Sequence, residues 1–471
     1  MLAIKNKTML NLGILYIACI AGILPTYFVD DIKIFRPTRA LGEISFYSYL
    51  NNLLSKNKKA PDTSISEPET AESASIKNKV ATQTKKNIAT TSPNQAQSAP
   101  FNNVIEGDQH LQNFFKALKN KGRDGKPVKV LHYGDSIIAG DGIASTVRLR
   151  LQKEFGNGGP GFYVAGMDPR WMRRGDVKVT RKGEWDIFTI LFGGNQGRYG
   201  LGGIVATTLK AGEILINHPI ANHQLGRQFE IYTQTPKTAQ PLSLEINGQA
   251  VEFTQKITHS SFTQWVYSSP DPIIQIKIKV TELKFEIYGA VTEFSEGVTW
   301  ETTAVVGVSS GSFKNLGPTQ FEEQLIARAP DLVVLMIGGN ELGHGGLYEA
   351  NGKSYKDSYI SALKKVRGNS KADCLIISPL DQAYMTEDGQ ITSKPTMSKA
   401  VQFQKEVSAE AGCAFWNSWR FMGGVNSYSK WLNQGLAWTD LMHYTEKGQQ
   451  IIGNGLFEAL ISGYRNFEKS N

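Results

Sequence analysis

The chain reads as a parallel α/β domain interrupted by an antiparallel, β-rich insertion, and three patterns predict this. Short apolar runs at 128–133, 332–337, 374–378 and 414–417 alternate with helical periods. Such runs are the mark of strands buried on both faces by helices. Between 187 and 290 the period changes to two, as in Phe229-Glu230-Ile231-Tyr232 and Ile274-Gln275-Ile276-Lys277-Ile278, and no helical stretch intervenes. Within that region Asn247-Gly248 separates two apolar-polar alternations, a strong hairpin turn signal.

Residues 1–30 come first. The segment from Met9 to Val29 is mostly apolar, broken by Asn11 and Pro25, with Lys5 and Lys7 before it and Asp30-Asp31 after it. About 20 apolar residues span a bilayer, and the basic flank predicts a cytoplasmic N-terminus with the rest of the chain outside. No small-x-small cleavage site follows, so an uncleaved signal anchor is expected. Residues 31–100 comprise a juxtamembrane piece and a linker. From Asn51 to Pro100 there is no aromatic residue, and Ser, Thr, Ala, Asn, Gln, Lys and Pro dominate. A segment so poor in apolar side chains cannot offset its ordering entropy and is expected to be a disordered tether. About 50 flexible residues give it a root-mean-square span of about 40 Å.

The α/β domain is expected in two parts, 101–186 and 291–471, around an inserted β-sandwich at 187–290. In the first part a helix is expected at 111–119, a strand at 128–133 and a helix at 144–155 with Val147, Leu149 and Leu151 inward. In the second part strands are expected at 304–308, 332–337, 374–378 and 414–417. Helices are expected at 320–329, capped by Thr319, and at 355–366, 398–410 and 446–461. Functional groups of such a sheet lie at the carboxyl ends of its strands.

Composition excludes several classes. With 41% hydrophobic and 10% aromatic residues the 471-residue chain is globular in the main. The net charge of +8 draws on a lysine-rich linker (Lys58, Lys59, Lys77, Lys79, Lys85, Lys86). No basic-aromatic motif of a nucleic-acid module is present, and nucleic acid is not an expected partner. Of the three cysteines, Cys19 lies in the first apolar segment. No Cys-x-x-Cys or Cys/His spacing points to a metal. Cys374 and Cys413 each open an expected strand. They are either a bridge between neighbouring strands in an oxidising compartment or two buried thiols.

Three segments carry chemistry. Tyr133-Gly134-Asp135-Ser136 and Gly338-Gly339-Asn340 each follow an apolar strand, and Asp440-Leu441-Met442-His443 lies near the C-terminus. A serine hydroxyl becomes a nucleophile when histidine removes its proton, and a carboxylate orients that histidine. The three-residue spacing of Asp440 and His443 lets the two side chains meet within one loop. The bland readings are Ser136 as a helix N-cap, Asn340 as a loop cap and His443 as a structural histidine; together the segments outweigh them. His132 is expected in the core or just behind the site, His344 in a loop, and Gly193-Gly194-Asn195 in a turn.

These residues resemble the SGNH (GDSL-type) hydrolase family. Gly134-Asp135-Ser136 is similar to its first block, Gly338-Gly339-Asn340 to its third and Asp440-Leu441-Met442-His443 to its fifth, and the resemblance covers about 101–464. It implies a three-layer α/β/α, flavodoxin-like fold and ester hydrolysis or acyl transfer without metal or cofactor. It implies Ser136, His443 and Asp440 as catalytic residues, with Asp135 and Gly339 supporting them. The oxyanion hole would be formed by the Ser136 N–H, a second-block glycine and Asn340. In the second block the usual Asn-Gly is replaced by Ser309-Ser310, and Gly311 is the expected donor. Ile137 stands where relatives often have a polar residue.

Within the family the chain resembles bacterial periplasmic peptidoglycan O-acetylesterases, through the insertion between the first two blocks and through Phe421-Met422-Gly423-Gly424, Trp431 and Gly435-Leu436-Ala437. That implies an extracytoplasmic esterase held to the inner membrane by one span, with a cell-wall polysaccharide as substrate. Acetyl transfer to a second sugar by the same residues, and a non-catalytic glycan-binding protein, are the alternatives.

Overall fold

The computed structural model describes residues 103–165, 172–218, 227–343 and 345–470, and a short backbone hairpin of β1 (Phe28–Val29) and β2 (Ile32–Lys33). The chain divides into two units, Met1–Pro68 and Glu69–Asn471. The hairpin is all that is described of the first unit. The expected membrane span, Cys19 and the linker otherwise lie outside the described residues. Phe28 and Val29, the last two residues of the expected span, are extended rather than helical. Among the described residues no helix is long and apolar enough to cross a membrane.

In the second unit, a short helix α1 (Gln112–Lys119) precedes β3 (Val128–Gly134), in which every residue is buried. One helical turn, α2 (Ser136–Ala139), and the helix α3 (Gly142–Phe155) follow. The buried stripe of α3 is Ile143, Val147, Leu151 and Phe155, four residues apart as helical geometry requires. Leu149, expected inward, is two positions from Val147 and points to solvent.

The chain then enters the insertion, earlier than expected. Already β4 (Gly161–Tyr163) and β5 (Lys178–Lys182) pair with its later strands. The charge-rich Lys-Val-Thr-Arg-Lys of β5 hides its alternation, because this is a half-exposed edge strand. There follow β6 (Trp185–Thr189), β7 (Ile204–Thr208), β8 (Gly212–Asn217), β9 (Gln228–Thr233), β10 (Leu242–Ile246), β11 (Gln249–Val251), β12 (Gln255–Thr258), β13 (Thr263–Ser268), β14 (Gln275–Val280) and β15 (Glu286–Glu293). They form two antiparallel sheets. One has the order β11-β10-β14-β8-β5, and the other β12-β13-β9-β15-β7-β6, with β4 beside β15. Asn247 and Gly248 join β10 to β11 with φ of 51° and 82°, the two positive values a tight hairpin turn needs. Ile214, Ile216, Leu244, Ile276 and Ile278 of the first sheet share a core with Phe229, Ile231, Trp265 and Ile287 of the second. The insertion is thus a sandwich spanning Gly161 to Glu293 rather than 187–290.

The parallel sheet resumes at β16 (Val298–Ala304), six residues before the strand expected at 304–308. Thr299, Glu301, Thr302 and Thr303 are buried there, so no apolar run marked it. After α4 (Pro318–Arg328) come β17 (Leu332–Met336), α5 (Lys353–Arg367), β18 (Asp373–Ile377) and a small hairpin of β19 (Ala383–Met385) and β20 (Ile391–Ser393). The chain ends with α6 (Met397–Glu410), β21 (Ala414–Trp416), α7 (Ser418–Met422), α8 (Ser427–Asn433) and α9 (Glu446–Ser470). Gly317 rather than Thr319 caps α4, because Pro318 occupies the first helical position, where its missing N–H costs nothing. The last helix runs nine residues past Ile461; there Tyr464 and Phe467 pack on Phe115.

Sheet order is β16-β3-β17-β18-β21, all parallel. In chain order this is 2-1-3-4-5, the flavodoxin-like arrangement. Alternate strand residues face opposite layers. Val130, Val334 and Leu375 pack with α1, α3 and α9; Leu131, Val333 and Ile376 pack with α4, α5 and α6. Cys374 on β18 and Cys413 just before β21 form a disulfide, with Cα atoms 4.8 Å apart. Of the two readings left open by the sequence, the bridge is the one observed.

Two buried ionic clusters tie the sandwich to the α/β layers. Arg328 of α4 donates to Glu293 of β15 at 2.7 Å and to Glu301 of β16 at 3.1 Å, and Lys129 lies 3.9 Å from Glu293. Burial alone would raise Glu293, but Arg328 and Lys129 hold its carboxyl below the usual range. On the other side Asp141 receives Arg148 at 2.7 Å, the Thr302 hydroxyl at 2.9 Å and the Gly175 N–H at 2.9 Å. Arg148 and Arg174 converge on Asp176 at 3.1 and 2.8 Å. Removing one partner from a buried cluster leaves uncompensated charge. Arg328→Ala, which strands Glu293 and Glu301, is expected to lower the free energy of urea unfolding by about 3–5 kcal/mol. A loss below about 1 kcal/mol would show that the two carboxylates are not held by that guanidinium.

Candidate active site

The end of β3 makes the nucleophile's position. A side chain on Gly134 would come within 2.4 Å of Ile138, so glycine allows α2 to fold back against the strand. Asp135 caps α2 with Oδ1, accepting the Ile137 N–H at 3.0 Å. Ser136 therefore opens the helix, half-buried, and its N–H has no hydrogen-bond partner among the described residues.

The histidine loop is self-organised. Leu441 has φ of +63°, the left-handed conformation, which a leucine adopts only when its surroundings enforce it. The turn lets Asp440 Oδ1 accept the N–H groups of Met442 and His443, each at 2.9 Å. Oδ2 is left to face His443 Nδ1 at 2.7 Å, and His443 Nε2 lies 2.9 Å from Ser136 Oγ. With Nδ1–H donating to the carboxylate, Nε2 is the acceptor for the serine hydroxyl. Burial works to raise Asp440, but the hydrogen bonds from His443 and Met442 hold it below the usual carboxylate range, so it stays ionised. The Tyr428 hydroxyl braces the loop, 2.8 Å from the Trp438 carbonyl and 2.9 Å from that of His443.

Asn340 sits just beyond the end of β17. Gly338 precedes it with φ of +121°, and a side chain there would meet Gln404 at 2.4 Å. Asn340 Nδ2 donates to the Val308 carbonyl at 3.0 Å, leaving its second amide hydrogen available. Gly311 is the second residue of a 3₁₀ turn, Ser310–Asn315, and its N–H has no partner among the described residues. The N–H of Ser310 is taken, donating to Glu341 Oε1 at 3.1 Å. Of these two neighbouring N–H groups, that of Gly311, the expected donor, is the one left open. Gly339 packs against the Gln382 amide, and a side chain there would lie 3.6 Å from Asp135 Oδ2.

Two buried carboxyls lie beneath these turns. Burial pushes Asp135 up to about 6. Burial, reinforced by Asp135, pushes Glu341 up to about 7, against the bonds from Ser310. Glu341 was not singled out from the sequence, although it directly follows Asn340; nothing in spacing reveals that its carboxyl turns inward. Tyr428 was missed for the same reason. His132 is buried as expected, accepts the Trp300 indole N–H at Nδ1 (3.1 Å) and is held neutral by burial, with its pKa lowered to about 3. Gly193 and Gly194 lie in the loop between β6 and β7, and the Asn195 amide donates to the Arg198 carbonyl at 2.6 Å. His344 lies outside the described residues. Among the described residues no group of three or more His, Cys, Asp or Glu could hold a metal ion.

Residues 291–456 match the GDSL-like Lipase/Acylhydrolase family model, a span holding Asn340, Asp440 and His443. Ser136 precedes that span, with all but the last residues of the sandwich between them. The chain thus carries a GDSL-like acylhydrolase domain. Among solved structures it is similar to a peptidoglycan O-acetylesterase, with a TM-score of 0.64 at 22% identity, covering 78% of this chain and 100% of that one. At that identity the likeness establishes the fold. An acetylxylan esterase from Geobacillus stearothermophilus matches at a TM-score of 0.24 and 18% identity, over 35% of this chain and 72% of that one, too distant in shape to bear on this chain. No curated protein matches.

A carboxyl raised on folding binds more protons in the folded than in the unfolded chain across the window between its two pKa values. Its contribution to stability therefore falls as pH rises through that window. For Glu341 the window runs from the usual 4.5 to about 7. Glu341→Gln is expected to gain stability relative to the unsubstituted chain as pH rises over that range, read by urea unfolding at several pH values. A difference that does not change with pH would mean the folded carboxyl titrates normally.

Proposed function

We propose that the chain is an extracytoplasmic serine esterase that removes O-acetyl groups from a cell-wall polysaccharide, with peptidoglycan as the substrate. The observation that carries this is the continuous path from Ser136 Oγ through His443 Nε2 (2.9 Å) and Nδ1 to Asp440 (2.7 Å). Ser136 Oγ attacks the acetyl carbonyl while His443 Nε2 takes the hydroxyl proton. Asp440, held ionised by its own loop, fixes the tautomer and stabilises the imidazolium. The oxyanion is received by the Ser136 and Gly311 N–H groups and the free hydrogen of the Asn340 amide. The intermediate collapses as His443 returns the proton to the sugar oxygen, leaving acetyl-Ser136. Water, deprotonated by His443, then releases acetate.

The choice of glycan rests on the acylhydrolase domain, on the shared fold with a peptidoglycan O-acetylesterase and on the inserted sandwich. The extracytoplasmic location and the single-span inner-membrane anchor rest on the basic flank and apolar run of residues 1–30. The Cys374–Cys413 bridge suits an oxidising compartment.

The test is acetate release by the full chain from O-acetylated peptidoglycan, with an aryl acetate beside it. Ser136→Ala is expected to lower kcat by roughly 10⁴-fold or more. Asn340→Ala is expected to lower it by about 10²–10³-fold with little change in KM, because its amide acts on the transition state. Hydrolysis of the aryl ester alone would move the reading to acetyl transfer onto another sugar. Folded protein that neither releases acetate nor labels with a fluorophosphonate would overturn the esterase and leave a glycan-binding protein.

A further inference from the structure

Among the described residues, Lys394 is a cation without a counter-ion beside the site. It follows β20, and its ammonium is 2.9 Å from Gln382 Oε1, a neutral amide and its sole side-chain partner among the described residues. Burial lowers its pKa, with no charged neighbour contributing. Keeping a half-buried ammonium unpaired is costly to the fold. Asp381, directly before Gln382, is not available to it: its carboxylate is taken up by Ser393, Ser427, Trp419 and the Tyr428 N–H.

The position of Lys394 gives that cost a use. The Gln382 amide that holds it packs on Gly339, with Nε2 only 2.6 Å from where a side chain would begin, immediately before Asn340. The next residue, Ala383, donates its N–H to the Leu441 carbonyl at 2.9 Å, inside the Asp440–His443 loop. Gln382 and Ala383 thus connect Lys394 to the oxyanion turn and to the histidine loop. The same loop displays Trp438, whose side chain is 56% exposed although its backbone is pinned on both sides. Its N–H donates to the His443 carbonyl at 2.9 Å and its carbonyl accepts from Tyr428 at 2.8 Å. An exposed indole on a backbone fixed in this way offers a flat apolar face.

We infer that Lys394 and Trp438 form a glycan subsite beside the scissile ester, in which the ammonium takes a substrate carboxylate and the indole stacks on a sugar ring. This rests on the esterase reading and specifies its substrate as an acidic glycan. The chemistry is shared by uronates and by the carboxylates of peptidoglycan.

The test compares O-acetylated peptidoglycan before and after carbodiimide amidation of its carboxylates, with kcat and KM measured separately for the full chain. The unsubstituted chain is expected to favour the native polymer by about tenfold in kcat/KM, mostly through KM. Lys394→Gln is expected to bring that preference close to one, and Lys394→Arg to restore most of it. Trp438→Ala is expected to raise KM about tenfold on both polymers while the preference persists. A preference near one in the unsubstituted chain, or unchanged in Lys394→Gln, would overturn the carboxylate site, and an unmoved KM in Trp438→Ala would overturn the platform. Hydrolysis of 4-nitrophenyl acetate by the unsubstituted chain tests the ester chemistry separately. If that fails, the same preference is read as binding of Ser136→Ala to the two insoluble polymers by sedimentation.

Discussion

The site depends on one constraint: β3 is buried along its whole length and must be paired on both sides. A strand of Val, Lys, Val, Leu, His, Tyr and Gly with no exposed residue requires β16 and β17 as neighbours and helices above and below. With both neighbours in parallel register, their carboxyl ends come out on one edge. Ser136 follows from β3, the Ser309–Gly311 turn from β16 and Asn340 from β17. Three groups 29 to 204 residues apart in sequence are thereby gathered by a single sheet edge. The fourth contributor, the His443 loop, comes from no strand of this sheet. It is braced by Tyr428 and by the bond from Ala383 to the Leu441 carbonyl.

The sandwich interrupts the chain between β3 and its partner β16 without disturbing their pairing, and electrostatics explains how. Its last strand, β15, leads into β16, and Glu293 on one and Glu301 on the other share Arg328 of α4. At its start, Asp141 and Asp176 are joined through Arg148. Entry and exit of the insertion are both clamped by buried guanidinium groups whose planar forks satisfy two carboxylates at once. Such pairs add little net stability compared with apolar packing, and their directionality sets the relative placement of the two layers.

The same low-dielectric interior shapes the functional groups unequally. Asp440 stays ionised because its own loop supplies three N–H donors. Asp135 and Glu341 lie deeper with fewer donors and are driven toward their neutral forms. Lys394, with one amide for company, has its pKa lowered rather than raised, because burial penalises its charged form too. Three neighbouring acids and one base therefore carry charge according to how many hydrogen bonds their local backbone offers.

Local chemistry made much of this legible in the amino-acid order alone. Apolar runs marked β3, β17, β18 and β21, and Asn247-Gly248 marked a hairpin, because burial and turn conformation act over a few residues. Gly134-Asp135-Ser136, Gly339-Asn340 and Asp440 to His443 were legible because each is a contiguous piece of backbone geometry. Tertiary structure alone decided the rest. The strand β16 was invisible because its buried Thr and Glu are tolerated only beside Arg328 and Asp141, far away in sequence. The sandwich began at Gly161 because an edge strand rich in lysine declares itself only through its partners. Whether Cys374 met Cys413, which second-block N–H stayed open, and that Glu341 turned inward while Lys394 found only an amide among the described residues all depend on contacts between residues that are not neighbours in sequence. Hydropathy and spacing carry no record of such contacts, because their energy arises only once the two partners share one desolvated place.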